Sequence, residues 1–579
     1  MIRPQRNAFR DVIDLSGIWR IRFDLNDEGE AGDWGAGSDP AGTHPVAVPG
    51  SWNEQLAEAG FMDYQGAAWL QTDVSVPTSF EGRGIRLRFD SADFSARVFV
   101  DGVFAGESGP AFLPFEIDSD RLVAGRTVRI VARVDNRLSL DGPTSGVGME
   151  QYVAEGRVRD EYRPAVRFDF FPYGGLNRPV WLTATPMGGI EAVRLRASAD
   201  GTLTLTAEAP PGSRIRVALA DVEAEGLAGE PISLRVPDVR PWSPADPALY
   251  DVVVERLDAL GIVADRIDLR TGFRDVEARG HALLLNGEPV TLKGFGKHED
   301  GPIRGRGLDL PQLVKDFGLL DWTHANSVRT SHYPYSEDFL DFADERGILV
   351  IDEVFSVNLD FRQVTEATLA QHRAAVEALI ARDGHRPSVI AWSLANEPGY
   401  LAEPEYRWRS GPYWKDLFGH ARDLDPTRPL THANVGYAGL DDPAFEQADI
   451  VSINRYFGWY QAPAQIERAV ALLRADLDAV AAHGKPVFVA EFGADALAGQ
   501  HSTSPQLFTE EYQADLIAAF WAEIQAHPAC IGGHVWNFAD FRTAQHSRRV
   551  VLNLKGVFTR DRQPKRAAFV LRDLWKDTR

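Results

Sequence analysis

The chain has 579 residues, with 83 acidic and 61 basic side chains and a formal net charge of −22. This length exceeds what one hydrophobic core supports, so we expect about two to four domains. An acidic surface repels nucleic acid and anionic membranes, and we therefore expect neither as a partner. No window of the sequence reaches the roughly 18 consecutive apolar residues that a membrane span needs.

The start of the chain and its cysteine content predict where the protein works. The first residues lack the apolar core of a secretory signal. Cys530 is the only cysteine, so it cannot form an intrachain disulfide or build a zinc site alone. We therefore expect a cytoplasmic protein in which Cys530 is a buried and inert thiol.

The first half of the chain is rich in strand-like patterns. Residues 1–185 contain short alternating runs such as IRLRFD and TVRIVARVDN, separated by Gly, Asp and Pro, which predict an antiparallel β-sandwich. Residues 186–275 contain about seven further runs, including GTLTLTAEA and YDVVVERLD, which predict an Ig-like β-sandwich.

The pattern changes in residues 276–579, where apolar strand-like runs alternate with amphipathic segments such as EATLAQHRAAVEALIARD. Eight such units predict a (β/α)8 barrel. A doubly wound open sheet is the rival fold, but it requires a G-x-G-x-x-G turn, and KGFGKHED lacks the third glycine. The eight predicted strands are EPVTLKGFG, ANSVRTSH, GILVIDEV, VIAWSLANE, PLTHANV, IVSINRYF, PVFVAEFG and IGGHVWNF.

Polar and aromatic residues end every predicted barrel strand. The active site of a barrel of this kind lies at the C-terminal strand ends. A purely structural barrel does not need polar groups at all eight ends, so their presence favours a functional site. These residues are His298, Glu299, Asp300, His332, Asp352, Glu353, Asn396, Glu397, Asn434, Asn454, Arg455, Tyr456, Glu491 and Trp536.

Two of these residues, Glu397 and Glu491, end the fourth and seventh predicted strands, which face each other across the barrel mouth. A retaining glycosidase uses two carboxyl groups about 5–5.5 Å apart. Either residue alone fits a solvated acid or an ion pair, but the two together favour catalysis. A metal site built from His298, Glu299 and Asp300 is the alternative. The sequence has no H-E-x-x-H motif and no second carboxylate cluster, so we expect no metal and no cofactor.

Eight long motifs carry a resemblance to a known family. They are GFGKHED, ANSVRTSHYPYS, ILVIDE, WSLANEP, INRYFGWY, EFGADALAG, HVWNFADFRT and NLKGVFTRDRQPKRAAF. With them the chain resembles glycoside hydrolase family 2 and, within it, the β-glucuronidases, over nearly its whole length. The resemblance implies an N-terminal β jelly-roll, an Ig-like β-sandwich and a C-terminal TIM barrel, in the order that the patterns predict.

The resemblance also implies roles for the residues around the two glutamates. Glu397 of NEP is similar to the family's acid/base, and Glu491 of EFG is similar to its nucleophile. Many relatives have Tyr where this chain has Phe492, a change that removes a hydroxyl and leaves the carboxylate's role intact. Asn396 is expected to bind the sugar 2-hydroxyl, and Tyr456 to hold the carboxylate of the nucleophile.

Further matching positions surround the sugar in the family. Tyr460 is expected near the far side of the sugar, and Asp169 is expected to reach the site from the first domain. His332, Trp536 and, as a weaker candidate, His298 are expected to line the sugar pocket. For each His or aromatic residue, packing at the barrel mouth is the alternative interpretation.

The Asn-x-Lys pair at Asn553 and Lys555 predicts the charge of the substrate. A hexuronic acid differs from a neutral hexose by a carboxylate at C6, and burying that carboxylate without a partner is costly. An amide and an ammonium satisfy it with charge-assisted hydrogen bonds. In the family this arrangement resembles uronate recognition, and Arg549 matches a further carboxylate contact.

The sequence therefore predicts a retaining exo-hydrolase that releases β-D-glucuronate from a small or oligosaccharide β-glucuronide. A β-galacturonidase or dual uronidase is the first alternative, because the sequence does not resolve the contacts to C4. A neutral-sugar, β-galactosidase-like hydrolase and a sugar-binding protein without turnover are the others.

Two further expectations follow from the resemblance. The segment 355–365 is shorter than the covering loop of some relatives, which predicts an open aglycone side that tolerates large or oligomeric leaving groups. Relatives commonly assemble, so we expect a homo-oligomer, either a dimer or a tetramer.

Overall fold

A computed structural model describes residues 2–138, 142–144, 169–399, 404–544 and 549–576. Two β-sandwiches precede a closed barrel of eight strands, which confirms the predicted fold class. No helix in these ranges combines the length and the apolar character that crossing a bilayer requires.

The first sandwich consists of two antiparallel sheets that enclose one hydrophobic core. Alternation produces this core: Trp19, Ile21 and Phe23 are buried, whereas Ile18 and Arg20 between them face solvent. The elements are β1 Asp11–Asp14, β2 Gly17–Phe23, β3 His44–Val48, β4 Gly50–Ser51, α1 Trp52–Gln55, β5 Ala67–Ser75, β6 Gly84–Phe89, β7 Ser95–Val100, β8 Val103–Glu107, β9 Phe115–Asp118, β10 Thr127–Asp135, β11 Gly175–Leu176 and β12 Val180–Thr185. The two sheets have the strand orders β1-β12-β6-β9 and β3-β2-β5-β10-β7-β8.

The second sandwich has the seven strands that the sequence predicts, in sheets of three and four strands. The strands are β13 Ala192–Ala197, β14 Thr202–Glu208, β15 Arg214–Leu219, β16 Val222–Leu227, β17 Ile232–Arg235, β18 Tyr250–Leu257 and β19 Val263–Thr271. The sheet orders are β13-β14-β17 and β16-β15-β18-β19. The buried faces of both sheets form a separate core.

A small antiparallel sheet of three strands leads into the barrel. Its strands are β20 Val276–Arg279, β21 Ala282–Leu285 and β22 Glu288–Pro289. The first predicted barrel strand, EPVTLKGFG, therefore begins too early, because Glu288 and Pro289 pair with Leu285 and Leu284 in this sheet. The parallel barrel strands are β23 Leu292–Gly296, β24 Ser327–Arg329, β25 Leu349–Glu353, β26 Val389–Asn396, β27 Leu430–Asn434, β28 Val451–Asn454, β29 Val487–Phe492 and β30 Cys530–Val535.

Helices surround the barrel, and their caps are visible in the sequence. Asp309 directly precedes the first helix around the barrel, Leu310–Trp322. Its side chain accepts a hydrogen bond from the Gln312 backbone amide at 3.1 Å. The helices are α2 Leu310–Trp322, α3 Glu337–Arg346, α4 Glu366–Asp383, α5 Pro404–Leu424, α6 Ala444–Gln447, α7 Ile466–Ala481, α8 Glu510–Ala526 and α9 Arg566–Trp575. A short hairpin, β31 Phe541–Arg542 and β32 Leu552–Asn553, lies between the last barrel strand and α9.

Trp242, which lies between β17 and β18, joins the second sandwich to the base of the barrel. The ring is fully buried among apolar residues at the N-terminal ends of barrel strands, including Leu349, Ile390 and Phe488. Its Nε1 donates a hydrogen bond to the Asp344 carbonyl at 2.8 Å. The base of the barrel is thus closed by a side chain from the preceding region.

We predict that Trp242→Ala lowers the free energy of unfolding by about 3–5 kcal/mol, because it leaves a cavity at this junction. Trp408→Ala is the matched control, since the Trp408 side chain is 77% exposed, and we expect it to change stability by less than about 0.5 kcal/mol. Thermal or urea denaturation of both variants measures the difference. Equal losses in the two variants would contradict the packing role of Trp242.

Candidate active site

The two predicted carboxyl residues lie at the C-terminal ends of β26 and β29. Glu397 directly follows β26 and has a left-handed backbone with φ 49°, a strained conformation that is common at functional sites. Glu491 is buried near the end of β29. Asn454, at the end of β28, pairs in register with Glu491 and donates from Nδ2 to Glu397 Oε1 at 3.0 Å. One amide therefore links the two strand ends at the barrel mouth.

The surroundings of Glu397 favour its protonated form. Burial, followed by the negative charge of Glu491, raises the pKa of Glu397 to about 7, against a small opposing effect of the Asn454 hydrogen bond. At neutral pH a substantial fraction of this carboxyl group therefore carries a proton. Such a group can act as a general acid.

Glu491 is held by donors on both of its oxygens. The Arg329 guanidinium donates to Oε1, and the Tyr456 hydroxyl donates to Oε2 at 2.5 Å. Burial raises the pKa of Glu491 above its ordinary value, while Arg329 and Tyr456 oppose that rise. The two carboxyl groups thus have different electrostatic surroundings, and two fixed donors orient the second one.

Arg329 is itself oriented by a third carboxylate, Glu353. Its Nη1 donates to both Glu353 oxygens at 2.8 Å, and Ser393 Oγ donates to Glu353 Oε2 at 2.6 Å. His332 Nδ1 lies 2.8 Å from Glu353 Oε1. Burial alone would raise the pKa of Glu353, but Arg329, His332 and Ser393 lower it to about 2. Glu353 is therefore an anion that fixes Arg329 beneath the site.

The sequence prediction of the site omitted Arg329, although a signal was present. Arg329 lies within the predicted strand ANSVRTSH, and a charged side chain in a buried strand needs a carboxylate partner. Asn396, which was predicted, lies beside it: Asn396 Oδ1 accepts from Asn454 Nδ2 at 3.3 Å and from Arg329 Nη1 at 3.5 Å. The predicted and the omitted residues thus form one hydrogen-bonded group.

The predicted ring residues form one wall of the site. His332 stacks on Trp536, with ring centroids 5.0 Å apart and planes 14° from parallel. His298 meets the same indole edge-on, with centroids 5.3 Å apart. Burial lowers the pKa of His298 well below its ordinary range, so its ring is neutral. His298 Nδ1 contacts the Tyr333 hydroxyl at 3.2 Å, and its buried Nε2 has no hydrogen-bond partner among the described residues.

The remaining predicted residues converge on a second set of charges, here called the rim cluster. Lys555 is almost fully buried, and its Nζ donates to Asp495 Oδ1 at 2.6 Å and to the Tyr460 hydroxyl at 3.1 Å. Asp495 was not predicted, although it lies within EFGADALAG and a buried lysine requires such a partner. The rim cluster consists of Asp169, Tyr460, Asp495, Arg549, Asn553 and Lys555.

Asp169 brings the first sandwich into the rim cluster. Arg549 donates to its two oxygens in bidentate geometry, at 2.9 Å and 2.6 Å, and Asn553 Nδ2 donates to the same carboxylate. Arg549 also donates to the Tyr460 hydroxyl at 2.9 Å. Two cations and two carboxylates therefore balance one another within the cluster.

Aromatic rings connect the rim cluster to the carboxyl pair. Tyr456, which binds Glu491, lies edge-on to Tyr460 with ring centroids 5.4 Å apart. Lys555 Nζ lies 4.9 Å from the Tyr460 ring centroid and 5.6 Å from the Tyr456 ring centroid. The structure thus places a pair of carboxyl groups on one side of the tyrosine pair, and the buried Lys555 and the partly buried Arg549 on the other.

Metal ligation was the alternative to carboxyl catalysis. Across the part of the chain that the structure describes, no three His, Cys, Asp or Glu side chains converge as the ligands of a metal ion would. His298, Glu299 and Asp300 instead make separate contacts: Glu299 with Arg178 at 3.0 Å, and Asp300 with the Tyr173 hydroxyl at 2.7 Å.

β-Glucuronidases are among the solved structures and curated proteins that are similar to this chain. The chain is 39% identical to the β-glucuronidase of Paenibacillus borealis, over 99% of this chain and 98% of the relative. It is 35% identical to the human β-glucuronidase, over 100% of this chain and 92% of the relative. The structure of the Ruminococcus gnavus β-glucuronidase in complex with D-glucuronic acid is similar, with 33% identity, a TM-score of 0.89 and coverage of 99% of each chain.

Three family models match in succession along the chain. The sugar binding domain of glycosyl hydrolases family 2 matches residues 12–186, and the general model of glycosyl hydrolases family 2 matches residues 192–274. The TIM barrel domain of the same family matches residues 276–579, more than half of the chain. Because these matches accompany a carboxyl pair at the mouth of the barrel, the chain belongs to glycoside hydrolase family 2.

Proposed function

We propose that the protein is a retaining exo-β-glucuronidase. The observation that carries this proposal is the buried Lys555 ammonium, which lies with Arg549 and Asn553 beside the tyrosine pair that contacts Glu491. A neutral sugar gives no reason to bury such cations, whereas a uronate offers them a carboxylate. The names of the similar proteins support the same substrate class.

The two carboxyl groups divide a double displacement between them. Glu491 attacks the anomeric carbon and forms a glycosyl ester, while Glu397 donates its proton to the departing glycosidic oxygen. After the aglycone leaves, Glu397 is an anion and accepts a proton from water. That water attacks the same carbon, which releases glucuronate and restores the Glu491 carboxylate. The raised pKa of Glu397 supports its assignment as the proton donor.

The remaining residues hold the sugar for these steps. We assign Asn396 to the 2-hydroxyl and the His332–Trp536 stack, with His298, to the pocket wall. Tyr456 keeps the nucleophile oriented through its 2.5 Å hydrogen bond to Glu491. The third ammonium proton of Lys555 has no acceptor among the described residues, and we assign it to the substrate carboxylate.

A β-galacturonidase or dual uronidase is the second candidate, since the rim cluster recognises a C6 group that both sugars share. Several finer assignments stay predictions: the domain divisions after residues 185 and 275, assembly into a dimer or tetramer, a cytoplasmic location, and an open aglycone side at 355–365. The single cysteine supports a reducing compartment.

Replacement of the carboxyl residues tests the mechanism. We expect Glu491→Ala to lower kcat by several orders of magnitude on every aryl β-glucuronide. Glu397→Ala should lose about 10²–10⁴-fold on a poor aryl leaving group but far less on a dinitrophenyl glucuronide, because that leaving group needs no proton. Equal losses on both substrates would contradict the acid role of Glu397.

The raised pKa of Glu397 predicts a pH dependence. The general acid must carry its proton, so kcat/KM for a poor leaving group should fall about tenfold per pH unit above the pKa, which lies at about 7. The pH profile of kcat/KM for the wild-type protein measures this limb. The decrease in kcat/KM above pH 7 should be absent when Glu397→Ala is assayed with dinitrophenyl glucuronide. If the decrease persists in that variant, the titrating group is not Glu397.

A panel of aryl β-glycosides tests the rim cluster. Loss of a charge-assisted hydrogen bond costs about 1.5–3 kcal/mol, so we expect Lys555→Met to lower kcat/KM for the glucuronide about 10- to 150-fold. Values for the galactoside and mannoside should change by less than about threefold, since these sugars lack the carboxylate. The wild-type kcat/KM for the aryl β-galacturonide, compared with that for the glucuronide, decides between the two uronidase candidates. Lys315→Met, an exposed lysine, is the control, and equal losses on all sugars for Lys555→Met would rule out its role.

A further inference from the structure

A second buried lysine, Lys565, lies behind the rim cluster and uses all three of its ammonium protons. It is 1% exposed and directly precedes α9. Its Nζ donates to the Asp540 carboxylate at 2.7 Å, to the Ala496 carbonyl at 2.8 Å and to the Leu554 carbonyl at 3.0 Å. The two carbonyls belong to different loops, so one ammonium fastens the loop after β29 to the loop after β32.

A buried glutamine on α8 fastens the same two loops from another side. Gln513 is fully buried, and its Nε2 donates to the Ala494 carbonyl at 2.9 Å, to the Gly556 carbonyl at 3.2 Å and to the Lys555 carbonyl at 3.3 Å. Lys565 and Gln513 are together called the loop clamp. Within the described residues, neither side chain hydrogen-bonds to the carboxyl pair or to a side chain of the rim cluster, although the Lys565 ammonium and the Asp495 carboxylate attract each other electrostatically.

The carbonyls held by the loop clamp bracket the ion pair at the centre of the rim cluster. Asp495 lies between the clamped carbonyls of Ala494 and Ala496. Lys555 lies just after the clamped Leu554 and just before the clamped Gly556. The backbone amide of Ala496 also donates to the Leu554 carbonyl at 3.0 Å. The backbone is therefore fixed on both sides of each partner.

We propose that Lys565 and Gln513 are positioning residues for recognition of the substrate carboxylate. Lysine has a flexible four-carbon stem, so the position of its ammonium depends on the position of its backbone and on the hydrogen-bond acceptor nearby. The loop clamp sets the distance between the Lys555 and Asp495 backbones and thereby holds Nζ 2.6 Å from Asp495 and 3.1 Å from Tyr460. This inference rests on the proposed function, because it concerns how the uronate is selected.

A role in stability alone is the competing explanation, since the loop clamp also satisfies buried carbonyls. That role predicts a loss of stability and a proportional loss of activity on every sugar. Positioning of Lys555 predicts a loss confined to substrates with the C6 carboxylate. The ratio of kcat/KM for an aryl β-glucuronide to that for the matching aryl β-glucoside separates the two explanations.

The first test measures this ratio in Lys565→Met and Gln513→Met. A displacement of about 1 Å at a positioned group costs up to about 100-fold, so we expect each ratio to fall about 10- to 100-fold, mainly through KM for the glucuronide. The glucoside value should change by less than about threefold. If Lys565→Met yields no folded protein, Gln513→Met, which removes a neutral amide, carries the test. Unchanged ratios in the folded variants overturn the proposal.

The second test is a double-mutant cycle with Lys555→Met. If Lys565 acts through Lys555, the double variant Lys555→Met/Lys565→Met should have a kcat/KM for the glucuronide less than about threefold below that of Lys555→Met alone. Losses that multiply in full would show independent action and would also overturn the proposal.

A matched control addresses general damage to the fold. Lys293, another buried lysine, lies near the N-terminal end of β23 and outside the rim cluster. Its Nζ also donates to a backbone carbonyl, that of Trp575, at 3.1 Å. Lys293→Met should lower the melting temperature and leave the sugar ratio unchanged. An unchanged ratio in Lys555→Met refutes uronate recognition itself, and the positioning role with it. If the ratio falls in Lys555→Met but is unchanged in Lys565→Met and Gln513→Met, the positioning role is refuted and uronate recognition by Lys555 stands.

Discussion

Arg329 joins two buried carboxylates, and the chemistry of the site depends on that arrangement. Glu353 lies on one side of the guanidinium and Glu491 on the other. Without the arginine, two acids in a dry pocket would repel each other and bind protons. With it, Glu353 stays charged and holds the arginine, and the arginine holds Glu491. The barrel supplies the frame, because these residues end the neighbouring strands β24 and β25 and the strand β29.

The same arrangement explains why Glu397 and Glu491 have different electrostatic surroundings. Arg329 contacts Glu491 directly, whereas among the described residues Glu397 accepts a side-chain hydrogen bond from the neutral amide of Asn454. Burial and the neighbouring negative charge of Glu491 therefore raise the pKa of Glu397, although the Asn454 hydrogen bond and the charges of His332 and Arg329 oppose the rise. In the proposed mechanism this asymmetry suits Glu491 to act as the attacking carboxylate and Glu397 to act as the proton donor.

The sequence predicts the fold well because its patterns are local. Strand alternation, seven short strands and eight βα units each depend on near neighbours, and the main error, the early start at Glu288, concerns a boundary. The site is predicted less completely. Glu397 and Glu491 follow apolar runs and are visible as motifs, but Asp495 and Arg329 matter through partners that lie far away in the chain. Their pairing with Lys555 and Glu353 is a property of three-dimensional packing, which spacing alone does not show.

Asp169 gives the site a mechanical link to the first sandwich. It lies 380 residues from Arg549 in sequence, yet the two form a bidentate ion pair in the rim cluster. In the proposed function Arg549 also contacts the carboxylate of the sugar acid, so a bound sugar competes with Asp169 for the same guanidinium. Occupancy of the pocket and docking of the sandwich on the barrel then share one set of bonds. Thermodynamic reciprocity then fixes the sign of the coupling: a change that loosens the sandwich frees Arg549 for the ligand and strengthens ligand binding, and the ligand in turn loosens the contact between the sandwich and the barrel.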